Sequence, residues 1–347
     1  MAGWRWPRVV AWSLAGLTAL VLAAALVLLG LDVPVMGADL VAFYAVCALA
    51  VAVSAGIGCL IATRLPVNAI GWLLSVIGLS LAAGMFAEQY ALWDLAVATG
   101  PLLPGARLAG WLPAAATLLT LALLLFVVLL FPDGRLPSRR WRPVLWALIA
   151  VLVAAVAQPL QDGMVGGVTG ALGRAGIADY PNPLGVLPRH GVFSQVLDVI
   201  GAIGLAAAVL VVVSVFVRRR GASAELRQQL AWLGYVAVLT AVLFVVLIAL
   251  SLGAPGNELA VTVVWVLLYL TPLVGIPVAC AVAVLKYRLY DLDIVVRKTV
   301  VAGLVAAAFT AIYAVVVAGV GVVTGHAGSS AGRGCATAGP VPGKTAG

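Results

Sequence analysis

Long apolar runs separated by short polar gaps dominate this chain. Nine runs reach or approach the roughly twenty residues that a helix needs to cross a bilayer. They are 9–31, 40–62, 69–87, 110–131, 144–160, 195–217, 230–252, 259–285 and 300–324. Hydrocarbon offers no water to the backbone, so each run is expected to bond its own N–H and C=O groups as a helix. The pattern therefore predicts an all-α, polytopic transmembrane helix bundle of about nine spans. The run 144–160 is the shortest. The run 259–285 holds Pro272 and Pro277, whose missing donors are expected to kink it.

The gaps between runs alternate in charge. One set holds Arg5, Arg8, Arg64, Arg135, Arg139, Arg140, Arg142, Arg218, Arg219, Arg220, Arg227, Lys286, Arg288, Arg297 and Lys298. The other set and the tail hold Arg107, Arg174, Arg189, Arg333 and Lys344. Moving Lys and Arg across a bilayer is unfavourable, so the first set is expected in the cytoplasm together with the N-terminus. Asp32, Asp39, Glu88, Asp94, Asp162, Asp179 and Glu258 fall in or beside the opposite gaps. Val9–Leu31 is longer than the roughly 7–15 residues of a signal-peptide core and reads as a retained first span. An odd span count places residues after 324 outside. Two regions result: a transmembrane region 1–324, and a Gly/Ala-rich tail 325–347 expected to be disordered.

Composition narrows the function classes. The chain is 64% hydrophobic and 9% charged, with a mean hydropathy of +1.19, which fits a multi-pass protein of the inner (plasma) membrane. Its first partner is the lipid bilayer. The net charge of +8 follows from topology, because the basic residues sit in short loops beside apolar runs. Nucleic acid is not an expected partner.

Cys47, Cys59 and Cys280 lie within apolar runs as small hydrophobes, and Cys335 lies in the tail, so neither a disulfide nor a metal site is expected. The two histidines, His190 and His326, fall on the outer side. No nucleophile elbow, HExxH helix or phosphate loop is present in the sequence. The expectation is a chain that is not an enzyme, with no catalytic, metal-binding or cofactor-binding residues and no cofactor.

Glu88 and Asp198 stand near outer helix ends, where they can reach the interface. The lack of ionisable residues at span centres weighs against ion-coupled transport. Gly71, Ser75 and Gly78 share one helix face and are expected to pack closely on a neighbouring helix, within the bundle or across a dimer. The outer segments 88–109 and 161–194 read as irregular connections, with a ligand-sensing surface as the sharper alternative.

The basic gaps carry the most distinctive sequence. Phe131-Pro132-Asp133-Gly134-Arg135-Leu136-Pro137 is a turn between spans. It leads into Arg139-Arg140-Trp141-Arg142-Pro143, with Trp141 as an interfacial anchor. Arg218-Arg219-Arg220-Gly221-Ala222-Ser223 is expected to end one helix at Gly221 and to cap the next with Ser223. Glu225 then falls in that helix's first turn. In Lys286-Tyr287-Arg288-Leu289-Tyr290-Asp291-Leu292-Asp293, the aspartates read as solvated charges balancing nearby arginines rather than as a metal or acid pair.

Four stretches occur in order: NAIGWLL (68–74), FPDGRLPSRRWRP (131–143), RRRGASAELRQQLAWL (218–233) and LKYRLYDLDIVVRKTVVAGL (285–304). Together they resemble the multi-spanning N-terminal membrane region of actinobacterial sensor histidine kinases. The resemblance implies a signal-input region of a two-component system, joined to a cytoplasmic phosphoacceptor and ATP-binding portion. Residues 325–347 carry none of the motifs of that portion. The expectation is a chain truncated or frameshifted before the kinase core.

The coupling residues expected from this reading are Arg227 in one connector and Arg288, Tyr290, Asp291 and Asp293 in the next. Their role would be signal coupling, not catalysis. Competing readings are a small-molecule transporter or permease-like bundle, and a structural partner that forms a homodimer or pairs with a full-length kinase.

Overall fold

A computed structural model of the chain describes residues 5–36, 38–98, 103–161, 183–188, 191–253 and 258–288. Among these residues eight long helices follow one another: α1 (Arg5–Met36), α2 (Ala38–Arg64), α3 (Ala69–Leu92), α4 (Leu112–Leu130), α5 (Arg142–Ala157), α6 (Val192–Arg220), α7 (Ala224–Gly253) and α8 (Glu258–Arg288). Each covers one expected apolar run, and all eight are long and apolar enough to cross a membrane. The chain is an all-α, multi-pass transmembrane bundle. The ninth expected run, 300–324, and the tail 325–347 lie outside the described residues.

Most helices overrun their apolar runs by a few residues at the polar ends. An intrahelical hydrogen bond forms as readily in the interface as in hydrocarbon, so hydropathy marks the buried length rather than the helical length. α5 is the exception that needs help. Its 16 residues rise only ~24 Å, short of a hydrocarbon core of ~30 Å. Turns of 3-10 helix at Arg139–Trp141 and Gln158–Leu160 extend it at both ends by ~6 Å each. α8 continues as one helix through Pro272 and Pro277.

Seven helices close into a ring. α3 packs on α2, α2 on α8, α8 on α7, α7 on α6, α6 on α5, α5 on α4, and α4 returns to α3. α1 lies outside this ring against α2 and α3. The ring is filled by apolar side chains from all seven members, among them Ile57, Leu74, Val127, Leu148, Val211, Leu230 and Leu273. Outward faces are equally apolar. Leu20 on α1, Leu205 on α6 and Leu252 on α7 are each about 70–80% exposed. Helices that are apolar on every side belong in lipid, which covers such faces without loss.

α2 and α3 are the tightest pair, and glycine makes it so. A Cβ on Gly71 would lie 2.5 Å from the Ala62 nitrogen, and one on Gly58 would lie 2.5 Å from the Ser75 nitrogen. Gly78 meets Ala55 in the same way. The small-residue face therefore serves packing inside the bundle. Lipid tails are as apolar as the helices, so association here depends on close van der Waals fit. Gly71→Val is expected to destabilise the purified protein by ~1–3 kcal/mol, read as a lower Tm. Gly56→Ala, with nothing within 4 Å of the new methyl, should leave Tm unchanged or slightly raised.

Candidate functional site

Basic residues gather where α2, α4 and α6 give way to α3, α5 and α7; the first two connectors are bonded to each other, and the last turn of α6 is bonded to the second. The first connector is a tight turn from Leu65 to Asn68. In it the Leu65 N–H donates to the Ile61 carbonyl at 2.7 Å and the Asn68 N–H donates to that of Leu65 at 2.9 Å. Asn68 then caps α3, its Oδ1 accepting from the Ile70 N–H at 3.0 Å. Such a cap satisfies one of the orphan donors at a helix start. The other half of the amide reaches across the chain: Nδ2 donates to the Pro132 carbonyl at 3.2 Å.

Pro132 opens the second connector. Its Phe131–Pro132 peptide is cis, and the Gly134 N–H donates to the Leu130 carbonyl at 2.9 Å. Gly134 has φ of +72°, a conformation that disfavours any side chain. A Cβ there would also lie 2.5 Å from Asn68 Oδ1 and 2.7 Å from the Ala69 nitrogen. Glycine is thus required twice over, by its own backbone and by the capping amide against it.

Arg218 joins α6 to the same place. Its guanidinium donates to the Phe131 carbonyl at 2.7 Å, to that of Val128 at 3.0 Å and, more weakly, to that of Leu129 at 3.5 Å. The Nε donates to the Ser214 carbonyl at 3.1 Å, and a terminal nitrogen donates to Ser214 Oγ at 3.3 Å. The last carbonyls of α4 have no intrahelical partner and carry the negative end of the helix dipole. A cation there is favoured twice, by charge and by hydrogen bonding. Hence Phe131 and Pro132, adjacent in sequence, receive Arg218 from one side and Asn68 from the other.

The third connector closes on itself. α6 ends at Arg220 with Gly221 as its cap. Ser223 Oγ accepts from the Leu226 N–H at 3.3 Å, and Glu225 stands in the first turn of α7. Arg227, a residue expected to couple signal, is exposed and donates to the Ala222 carbonyl at 3.3 Å. Arg288 is the last residue of α8. Tyr290, Asp291 and Asp293 lie outside the described residues. Three of the four stretches that carry the family resemblance therefore converge, and the fourth begins at the end of α8.

Between these connectors lies a cavity of about 1050 Å³, lined in part by Arg64, Asn68, Asp133, Arg135, Arg218 and Leu226. The interlock at its wall does not follow from local pattern. Arg218 reads like its neighbours Arg219 and Arg220 until its carbonyl partners are known. Asn68 ahead of an apolar run is a legible cap signal, but its second partner is 64 residues away.

The opposite end of the bundle is also more ordered than its sequence suggests. The segment 88–109 is expected to be irregular, yet α3 runs to Leu92 and is followed by a wider turn, Trp93–Val97. Tyr90 Oη donates to the Pro104 carbonyl at 3.0 Å, and Asp94 Oδ1 accepts from the Leu103 N–H at 3.0 Å. Gly105, at φ of +81°, leads into a short helix at Ala106–Ala109. Asp32 and Gln89 are fully buried at this end, and neither side chain has a hydrogen-bond partner among the described residues. Sequence reading places Asp32 near an outer gap but not its burial. Asp198 is exposed, in the second turn of α6. Among the described residues no group of three His, Cys, Asp or Glu is placed to hold a metal ion.

Arg218→Gln leaves the carbonyls of Val128, Leu129 and Phe131 short of donors, and its expected loss is ~2–3 kcal/mol. Arg218→Lys recovers only part of this, since an ammonium cannot reproduce the planar fork. Arg219→Gln and Arg220→Gln, both exposed, should stay within ~0.5 kcal/mol of wild type. Thermal unfolding of the purified protein in one detergent reads all four. Gly134→Ala is expected to cost ~2 kcal/mol in the same assay, from its left-handed backbone and the clash with Asn68.

Comparison with protein-family models, with curated proteins and with solved structures finds no match.

Proposed function

We propose that this chain is a signal-input module of the plasma membrane, resembling the sensor region of a histidine kinase, whose basic connectors pass helix displacement to a cytoplasmic output domain. The observation that carries the reading is the shared anchoring of Asn68 and Arg218 on Pro132 and Phe131. Connectors that only close loops need no such bonds to each other. Asn68 ties the α2–α3 turn to the α4–α5 connector, and Arg218 ties the last turn of α6 to the end of α4, so a shift of α3, α4 or α6 along the bilayer normal reaches the other two. Small displacements become discrete outputs when the packed elements they move have two arrangements, and the coupling proposed here requires that of this unit.

The basic character of this face supports a cytoplasmic placement. The filled apolar interior of the ring supports an input module over a permease, since a polar solute needs a lined path. In this reading Arg227, Arg288, Tyr290, Asp291 and Asp293 couple motion to output and perform no chemistry.

The test fuses the chain at Lys298 to the phosphoacceptor and ATP-binding portion of an active histidine kinase. Arg227→Ala, Arg288→Ala, Tyr290→Ala, Asp291→Asn and Asp293→Asn are expected to change autophosphorylation in membranes while leaving insertion and amount unchanged. Output equal to that of the unsubstituted fusion for all five would reject the assignment.

A further inference from the structure

The cavity among the connectors is lined by Arg64, Arg135 and Arg218, against one acid, Asp133, among the described lining residues. The three arginines are not equivalent. Arg218 spends its donors on α4 carbonyls and on Ser214, so it contributes charge and shape but no free hydrogen-bonding edge. Arg64, at the end of α2, and Arg135, in the α4–α5 connector, are exposed. Neither has a hydrogen-bond or ion-pair partner among the described residues. Arg64 and Arg135 thus line one cavity from two separate segments, and Arg218 adds a third, fixed positive charge to the lining.

We infer that this cavity is a binding site for a phosphate-bearing anion, with the headgroup of an acidic membrane lipid as its principal source. Guanidinium forks match the oxygens of phosphate in a bidentate manner, which a point charge does not. The volume of about 1050 Å³ sits at the upper end of small-ligand sites, which run to ~1,000 Å³, and it exceeds what inorganic phosphate alone would fill. Leu226, half-buried at the start of α7, forms part of the lining and gives the glycerol and first acyl carbons an apolar surface. Position agrees with this chemistry. The cavity lies where helices leave hydrocarbon, the depth at which lipid phosphates stand, and basic pockets between spans at that depth suit anionic headgroups. Occupancy would bridge the ends of α2 and the α4–α5 connector, adding a lipid-dependent tie to the one made by Asn68. The site stands on geometry and charge and is independent of the signalling reading, because its readout is binding.

The experiment uses the full chain purified in mild detergent, with bound lipid counted by native mass spectrometry after titration with phosphatidylglycerol or phosphatidylcholine. Wild type is expected to retain phosphatidylglycerol in preference to phosphatidylcholine. Arg64→Gln/Arg135→Gln should weaken that retention by roughly tenfold or more, from the loss of two charge-assisted contacts. Arg64→Lys/Arg135→Lys, which keeps the charge, should fall between the two. Arg140→Gln, exposed and outside the cavity lining, should match wild type. A second arm adds inorganic phosphate. Release of the lipid at millimolar phosphate assigns the site to free phosphate as well, and no release assigns it to the lipid headgroup. Equal phosphatidylglycerol retention by wild type and by the glutamine double variant, with equal Tm, would overturn the proposal.

Discussion

An unpaired polar group in hydrocarbon costs several kcal/mol, and this one constraint shapes the molecule from end to end. It forces each apolar run into a helix, since no other local structure bonds every backbone group internally. It sends arginines to helix ends, where they reach water and phosphate. It also makes helix ends the delicate points, because the last carbonyls and first N–H groups of each span have no intrahelical partner. The connectors on the basic face answer that need with side chains: Asn68 caps α3, Arg218 serves the end of α4, and Ser223 caps α7. Capping and inter-helix contact are the same bonds at Arg218, and at Asn68 they are made by the two halves of one amide.

That coincidence links structure to the proposed role. A cap that serves only its own helix leaves neighbouring spans free to slide. Asn68 serves α3 and the α4–α5 connector at once, and Arg218 serves α4 from α6. Displacing one span therefore strains bonds at two others. The glycine contacts of α2 with α3 act in the same direction, since backbones in direct contact transmit displacement with little side-chain slack. α1 stands apart from this unit, outside the ring and packed mainly against α2 and α3 among the described residues.

Much of the fold was legible in the sequence. The apolar runs located all eight described helices, and the Gly71, Ser75 and Gly78 spacing marked a contact face that α2 fills. The cap at Ser223 and the first-turn Glu225 followed from local rules that act within four residues. What stayed hidden was long-range. Nothing near Arg218 in the chain distinguishes it from Arg219, because its partner carbonyl at Phe131 lies 87 residues away. Residues 88–109 looked irregular because prolines, glycine and Asp94 are turn formers, yet among the described residues Asp94 and the Pro104 carbonyl accept bonds from Leu103 and Tyr90. Burial of Asp32 was likewise invisible, since an acid at the end of an apolar run normally reaches water. Of the coupling residues, Arg227 is placed by its bond to Ala222 and Arg288 by its position at the end of α8, while Tyr290, Asp291 and Asp293 lie beyond the described residues.

The proposed coupling requires the interlocked connectors to share one face of the membrane, that of the cytoplasm. Sided labelling of single cysteines, in a background with the native cysteines replaced, measures this directly. Val67 and Ser138 mark the interlocked face, and Leu103 and Leu184 mark the other; all four are exposed. On intact cells with the outer barrier opened, a membrane-impermeant maleimide should modify cysteine at 103 and 184 at once, and at 67 and 138 only after lysis. Modification at 67 or 138 before lysis, with 103 and 184 protected, would contradict the account.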